Sequence, residues 1–79
     1  MFYVYILKSQ TNGKRYVGQT ANLAHRITSH NKGDSKYTKS GMPWVLVYSE
    51  AYDTRSEAIK RELYFKTGKG REFLDNLGQ

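Results

Sequence analysis

The stretch Phe2-Tyr3-Val4-Tyr5-Ile6-Leu7-Lys8 is almost wholly β-branched or aromatic, and Asn12-Gly13 follows it closely. Such side chains suit a pleated, half-buried strand. Asn-Gly supplies the positive-φ residues that a tight hairpin turn requires. The chain is therefore expected to begin as a hairpin: a strand over 2–8, a turn over Gln10–Lys14, and a returning strand Arg15-Tyr16-Val17-Gly18-Gln19. With Asn12 and Gly13 as the two loop residues, Ser9 faces Tyr16. Side chains alternate along a strand, so Tyr16 and Gly18 then share the face of Tyr3, Tyr5 and Leu7. A one-residue bulge would reverse that parity.

Thr20 or Asn22 is placed to cap a helix over about 22–31. A basic polar loop containing Gly33 and Gly41 fills 32–42, and after Pro43 a third strand reads Trp44-Val45-Leu46-Val47-Tyr48. Thr54 and Glu57 match the S/T-x-x-E capping box, opening a longer helix to about Thr67 that stops at Gly68. A short last helix covers about 70–77. The order β-β-α-β-α-α, with no internal repeat, implies an α+β fold: a three-stranded antiparallel sheet flanked by helices. So small a sheet needs the helices as cover. Residues 1–79 are expected to form a single domain, because a chain this short buries only about 60–65% of its unfolded surface.

Composition narrows the function classes. Cysteine is absent, which excludes a disulfide framework and thiolate metal sites and suits a reducing compartment. The apolar N-terminal run is too short to cross a membrane and has neither a positive leader nor a small-residue cleavage site, so a cytoplasmic location is expected. Thirteen Lys and Arg against seven Asp and Glu leave a net charge of +6. Such an excess attracts polyanions in a salt-dependent way; a solvated basic surface is the plain alternative, and charge alone favours nucleic acid only modestly. A membrane surface fits less well, since no helix is apolar on one face and evenly basic on the other. No Walker-type loop, His/Cys zinc set or Ser-His-Asp arrangement is visible.

Certain side chains do stand out. Tyr in a strand is usually a packing residue, but Gly18 weakens a strand interior and marks close approach by a ligand or another part of the chain. On the first helix, Leu23, Ala24 and Ile27 form the apolar face, His30 falls within it, and Arg26 lies on its border one turn from His30. A surface arginine with a buried stem and a satisfied helix-end histidine are the plain alternatives. On the longer helix Ala58, Ile59, Leu63 and Phe65 define an apolar arc, and Glu62 falls inside it, about 40° from Ala58. Glu57, Lys60 and Arg61 fall outside that arc. A core-facing carboxylate is costly unless paired or coordinating a metal. Lys66 offers an i,i+4 bridge, and periodicity alone favours that bridge slightly over a Mg²⁺ ligand.

Tyr3-Val4-Tyr5 followed by Tyr16-Val17-Gly18 resembles the paired triads of the GIY-YIG nuclease superfamily. Thr20-Ala21-Asn22-Leu23-Ala24-His25-Arg26, with His30 beyond it, is similar to the family's next stretch, and Arg55-Ser56-Glu57-Ala58-Ile59-Lys60-Arg61-Glu62 to its later, metal-binding helix. The likeness spans nearly the whole chain and is strongest to small stand-alone members related to the N-terminal nuclease domain of the repair excinuclease. Tyr3 stands where the first triad has Gly, and Val replaces Ile in both triads.

The resemblance implies an endonuclease that hydrolyses nucleic-acid phosphodiesters, DNA more than RNA, in repair or recombination. In that reading Tyr5 and Tyr16 are the motif tyrosines, one of them the general base. Arg26 stabilises the phosphate, His30 assists, Gly18 is the close-packed glycine, and Glu62 holds one divalent ion, Mg²⁺ or Mn²⁺. Asn76 fills the place of a C-terminal Asn often found in the family. Lys14, Lys32, Lys36, Lys39, Lys69 and Arg71 are phosphate-contact candidates, with Tyr37 among them. The competing expectations are a non-catalytic nucleic-acid-binding module and an interaction subunit of a larger repair or recombination complex.

Overall fold

In the computed structural model, residues 1–33 and 36–78 are described, without the side chains of Lys36 and Tyr37. The elements are β1 (Phe2–Ser9), β2 (Arg15–Thr20), α1 (Leu23–Asn31), α2 (Lys36–Lys39), β3 (Trp44–Tyr52), α3 (Arg55–Phe65) and α4 (Gly68–Asn76). The strands form one antiparallel sheet in the order β2-β1-β3. The expected α+β architecture is present, with one added helical turn, α2, inside the basic loop.

The hairpin is real but its register differs from expectation. Five residues, not two, join the strands: Ser9 N donates to Lys14 O (2.9 Å) and Gly13 N to Ser9 O (3.1 Å). Asn12 Oδ1 accepts from Lys14 N (2.9 Å), and Gly13 has φ +73°. Ser9 Oγ accepts from the amides of Thr11 and Asn12 as well. These bonds widen the turn, so Leu7 rather than Ser9 faces Tyr16, and Tyr5 faces Gly18. The slip is two residues, which preserves parity. Tyr16 and Gly18 therefore keep the face of Tyr5.

Between Ile6 and Leu7 the pairing with β3 shifts, from Tyr48 to Leu46. The extra residue, Val47, is a bulge that turns the strand over. Trp44 and Leu46 consequently lie on the Tyr5 face, whereas Tyr48, Glu50 and Tyr52 lie on the Val4 face. Each face has its own core. Tyr5, Leu7 and Trp44 pack with Tyr16, Leu23, Ile27, Met42 and Leu46 under α1. Val4, Ile6, Ala58, Phe65 and Leu74 pack under α3 and α4. Covered on both sides, β1 buries Val4 through Leu7 without a break.

Asn22 caps α1, its side chain accepting from His25 N, while Thr20 Oγ1 accepts from Asn22 N instead. Thr54 caps α3 as the capping box requires, accepting from Glu57 N. The buried face of α3 departs from expectation. Ile59 and Leu63 are 39% and 59% exposed. The helix is rolled so that Ala58 and Phe65 meet the sheet and Arg61 lies over the Tyr64, Phe65 and Phe73 rings at 4.6, 4.7 and 5.3 Å. Arg61 also bonds Glu50 at 2.8 Å, and Glu50 accepts from Tyr48 and Tyr52 at 2.6 Å each. Cation–π contact with desolvated rings plus an ion pair outweighs the burial of two aliphatic side chains that a simple hydropathy arc counts. The α3 helix ends at Phe65, and Thr67 caps α4 from Gly68, earlier than expected. Gly70 makes the sharp corner possible, since a Cβ there would collide with the backbone of Tyr64 and Phe65.

Candidate active site

Tyr5 is the hub. It stands on the central strand opposite Gly18 and is 1% exposed. A Cβ on Gly18 would lie 2.5 Å from the Tyr5 hydroxyl and 2.7 Å from Cζ. The close approach that Gly18 signalled is therefore made by the Tyr5 ring. The α1 helix then brings Arg26 and His30, one turn apart, over that ring. Arg26 Nε donates to the Tyr5 hydroxyl at 3.3 Å, and His30 Nε2 lies 3.0 Å from the same oxygen. His30 Nδ1 lies 3.1 Å from Thr38 Oγ1, and both His30 and Thr38 are buried.

Burial lowers the His30 pKa, and the Arg26 charge lowers it further. The imidazole is thus neutral near pH 7 and has one donor and one acceptor nitrogen. Since Tyr5 accepts from Arg26, the assignment that uses every group has the Tyr5 hydroxyl donating to Nε2 and Nδ1–H donating to Thr38. Burial raises the Tyr5 pKa, against the Arg26 hydrogen bond that lowers it. The bond to Tyr5 raises the Arg26 pKa. Tyr16 completes the cluster, its ring centroid 4.7 Å from that of His30 in an edge-on contact and 6.2 Å from that of Tyr5.

Two groups that sequence reasoning did not single out hold this arrangement. Thr38 sits in a loop whose polar, basic composition carries no sign of burial. Its carbonyl accepts from Trp44 Nε1 at 2.7 Å. Asn31 brackets the Trp44 backbone, accepting from its N at 2.6 Å and donating to its O at 3.0 Å. A Cβ on Gly41 would strike the Trp44 ring, so this glycine lets the indole close the site from below.

Glu62 projects from α3. Its side chain is 19% exposed and accepts from Lys66 Nζ at 2.7 Å, the i,i+4 bridge anticipated from spacing. Its charge is the last and smallest influence on Tyr5, so it lies within electrostatic reach of the hub without touching it. Among the described residues no three His, Asp or Glu side chains converge as a metal cage. A divalent ion taking one carboxylate, with water and a substrate phosphate for the rest, matches the donor set present.

The basic candidates separate. Lys14 and Arg71 share a cleft with Arg15, Tyr16 and Lys66. Lys69 is exposed on α4, and Lys32 and Lys39 are exposed near α2. The Lys36 and Tyr37 side chains fall outside the described residues. Asn76 is exposed at the end of α4. No helix among the described residues is long and apolar enough to cross a membrane.

A buried tyrosine packed against a glycine, hydrogen-bonded to an arginine and a neutral histidine of one helix and flanked by a second tyrosine, is the polar centre of this small α+β domain. The chain belongs to the GIY-YIG catalytic domain family, whose model matches residues 1–74. It is 48% identical over 66 residues to a UPF0213 protein of Staphylococcus haemolyticus, covering 82% of this chain and 79% of that one. A UPF0213 protein of Staphylococcus saprophyticus is 47% identical over the same shares. The solution NMR structure of a UPF0213 protein from Bacillus halodurans matches with a TM-score of 0.58 and 34% identity, covering 98% of this chain and 85% of that one. Family membership implies nuclease-type activity in general terms.

Proposed function

We propose that this protein hydrolyses nucleic-acid phosphodiesters, DNA before RNA, with Glu62 holding one Mg²⁺ or Mn²⁺ ion. When bound, such an ion polarises a phosphoryl oxygen and stabilises the leaving oxygen. Arg26, exposed at the mouth of the cluster, meets the charge that develops on the phosphate. Tyr16 is the general base, because it is the less buried tyrosine and water can reach it. Tyr5 is already committed: its pKa is raised by burial and its hydroxyl is shared between Arg26 and His30. Tyr5 and His30 hold the Arg26 side chain in place, and Thr38 fixes the imidazole. Lys32, Lys36, Lys39 and Lys69 contact phosphates along the strand, which sets affinity more than sequence choice. A role in repair or recombination accompanies the DNA substrate.

The observation that carries this reading is the hydrogen-bonded run Arg26–Tyr5–His30–Thr38, which aims a buried network at one exposed guanidinium. The Lys66–Glu62 bridge favours a second reading, a module that binds nucleic acid without cutting it, since the carboxylate is already neutralised. Labelled single-stranded, duplex and branched DNA, and RNA, are incubated at low salt with Mg²⁺, Mn²⁺ or EDTA. Wild type, Glu62→Ala and Lys66→Met are compared, and Mn²⁺ binding is titrated in parallel. Metal-dependent cutting that vanishes in Glu62→Ala, with Mn²⁺ bound more tightly by Lys66→Met, is the expected result. Tight binding of nucleic acid with no cutting in any arm, and Mn²⁺ binding indifferent to Glu62, would establish the binding module instead.

A further inference from the structure

The cleft between the β1–β2 turn and the α3–α4 corner is lined by Lys14, Arg15, Lys66 and Arg71 together with Tyr16, and no carboxylate lies in its wall. The acids that touch these cations do so from outside it: Asp75 bonds Arg15 Nη2 at 2.8 Å and Glu62 bonds Lys66 at 2.7 Å. Among the described residues neither Lys14 nor Arg71 forms an ion pair. Arg15 is also incompletely satisfied, because its Nη1 is buried with no hydrogen-bond partner. Buried donors rarely go without an acceptor in a folded protein.

From this arrangement we infer that the cleft seats a non-scissile backbone phosphate of the nucleic-acid strand, one that neighbours the phosphodiester held at Arg26. This deepens the nuclease reading and rests on it. Tyr16 is the link, since the residue lines the cleft and its ring meets His30. A strand lying across Tyr16 brings one phosphate to each place. β2 is the sheet edge on that side, so no other strand stands in the way. Arginine supplies a planar fork and lysine a mobile point charge, the two ways proteins hold phosphate oxygens. Lys66 has two acceptors within its range, the Glu62 carboxylate and an anion in the cleft. Moving to the second releases Glu62.

Binding of a fluorescein-labelled single-stranded oligonucleotide is measured by anisotropy in EDTA, so that no cutting is needed. Arg71→Ala and Lys14→Ala/Arg71→Ala are compared with Lys60→Ala, which removes the same charge from an exposed position on α3 outside the cleft. Losing one phosphate contact flattens the log–log salt slope by about 0.7, which extrapolates to a loss of about 8-fold at 50 mM salt. The double variant is expected to lose about 60-fold, the product of two such contacts, with Lys60→Ala close to wild type. Equal losses for Lys60→Ala and Arg71→Ala would mean net charge alone and would overturn the cleft. So would poly-glutamate binding as tightly as the oligonucleotide, with the same variant losses, because the site would then not select phosphate. A wild type that binds but never cuts with metal present would refute the nuclease reading and leave the cleft comparison standing.

Discussion

Replacing Gly18 by Ala tests the clamp on Tyr5 directly. Gly18 is buried in β2 and its φ is not positive, so an alanine fits the backbone without strain. Backbone entropy alone would make the change stabilising by about 0.4–1 kcal/mol. Packing opposes it, because the new methyl would lie 2.5 Å from the Tyr5 hydroxyl and 2.7 Å from Cζ. Tyr5 is locked between Arg26 and His30 and cannot swing aside without breaking both bonds. Overpacking of this kind costs about 1–3 kcal/mol. The net expectation is a loss of about 1–2 kcal/mol, equivalent to about 4–16 °C in Tm for a domain of this size. Urea unfolding followed by Trp44, the only tryptophan and part of the same core, gives the number. In a double-mutant cycle with Tyr5→Phe, which removes the crowded oxygen, the two changes should couple by at least about 0.5 kcal/mol. A Gly18→Ala protein as stable as wild type, or strictly additive losses, would refute the clamp.

Two further outcomes follow from the electrostatics. His30 has a folded pKa below its unfolded value, so the unfolded chain binds the proton first; stability contributed by His30 is lost as pH falls below about 6.5. Urea midpoints between pH 5 and 7.5 should therefore fall towards acid more steeply in wild type than in His30→Asn, and parallel curves would contradict the assignment. On the other sheet face, burial alone would raise the Glu50 pKa, but bonds from Arg61, Tyr48 and Tyr52 outweigh it and lower the net value. Tyr52 in turn is pushed up to about 12 by burial and by its bond to Glu50. Glu50→Ala strands a half-buried guanidinium and two hydroxyls, and a loss of about 2–4 kcal/mol is expected. Because Glu50 bonds Arg61, Tyr48 and Tyr52 and does not line the cleft, oligonucleotide binding by the folded variant should not weaken; weakened binding would show this cluster to be coupled to the binding surface.

What could be read without coordinates was local and periodic. A strand alternates its side chains whatever it packs against, so Tyr5, Tyr16 and Gly18 could be placed on one face, and a two-residue error in register left that intact. Helical spacing likewise put Arg26 beside His30 and Lys66 beside Glu62. Cap chemistry located the starts of α1 and α3, because an Asn or Thr side chain satisfies amides only a few residues away. Tertiary structure decided whatever depended on partners distant in the chain. The bulge at Val47 sends Trp44 and Tyr48 to opposite faces, although strict alternation puts them together. The roll of α3 was set by Arg61 meeting Glu50 of β3 and the Phe73 ring of α4, partners that the wheel of α3 does not contain. Thr38 became the support of His30 only because Trp44 and Asn31 fold the basic loop back onto the sheet. Local sequence carries the periodicity of one element, whereas a site is a meeting of several, and its energies belong to contacts that exist only once they have met.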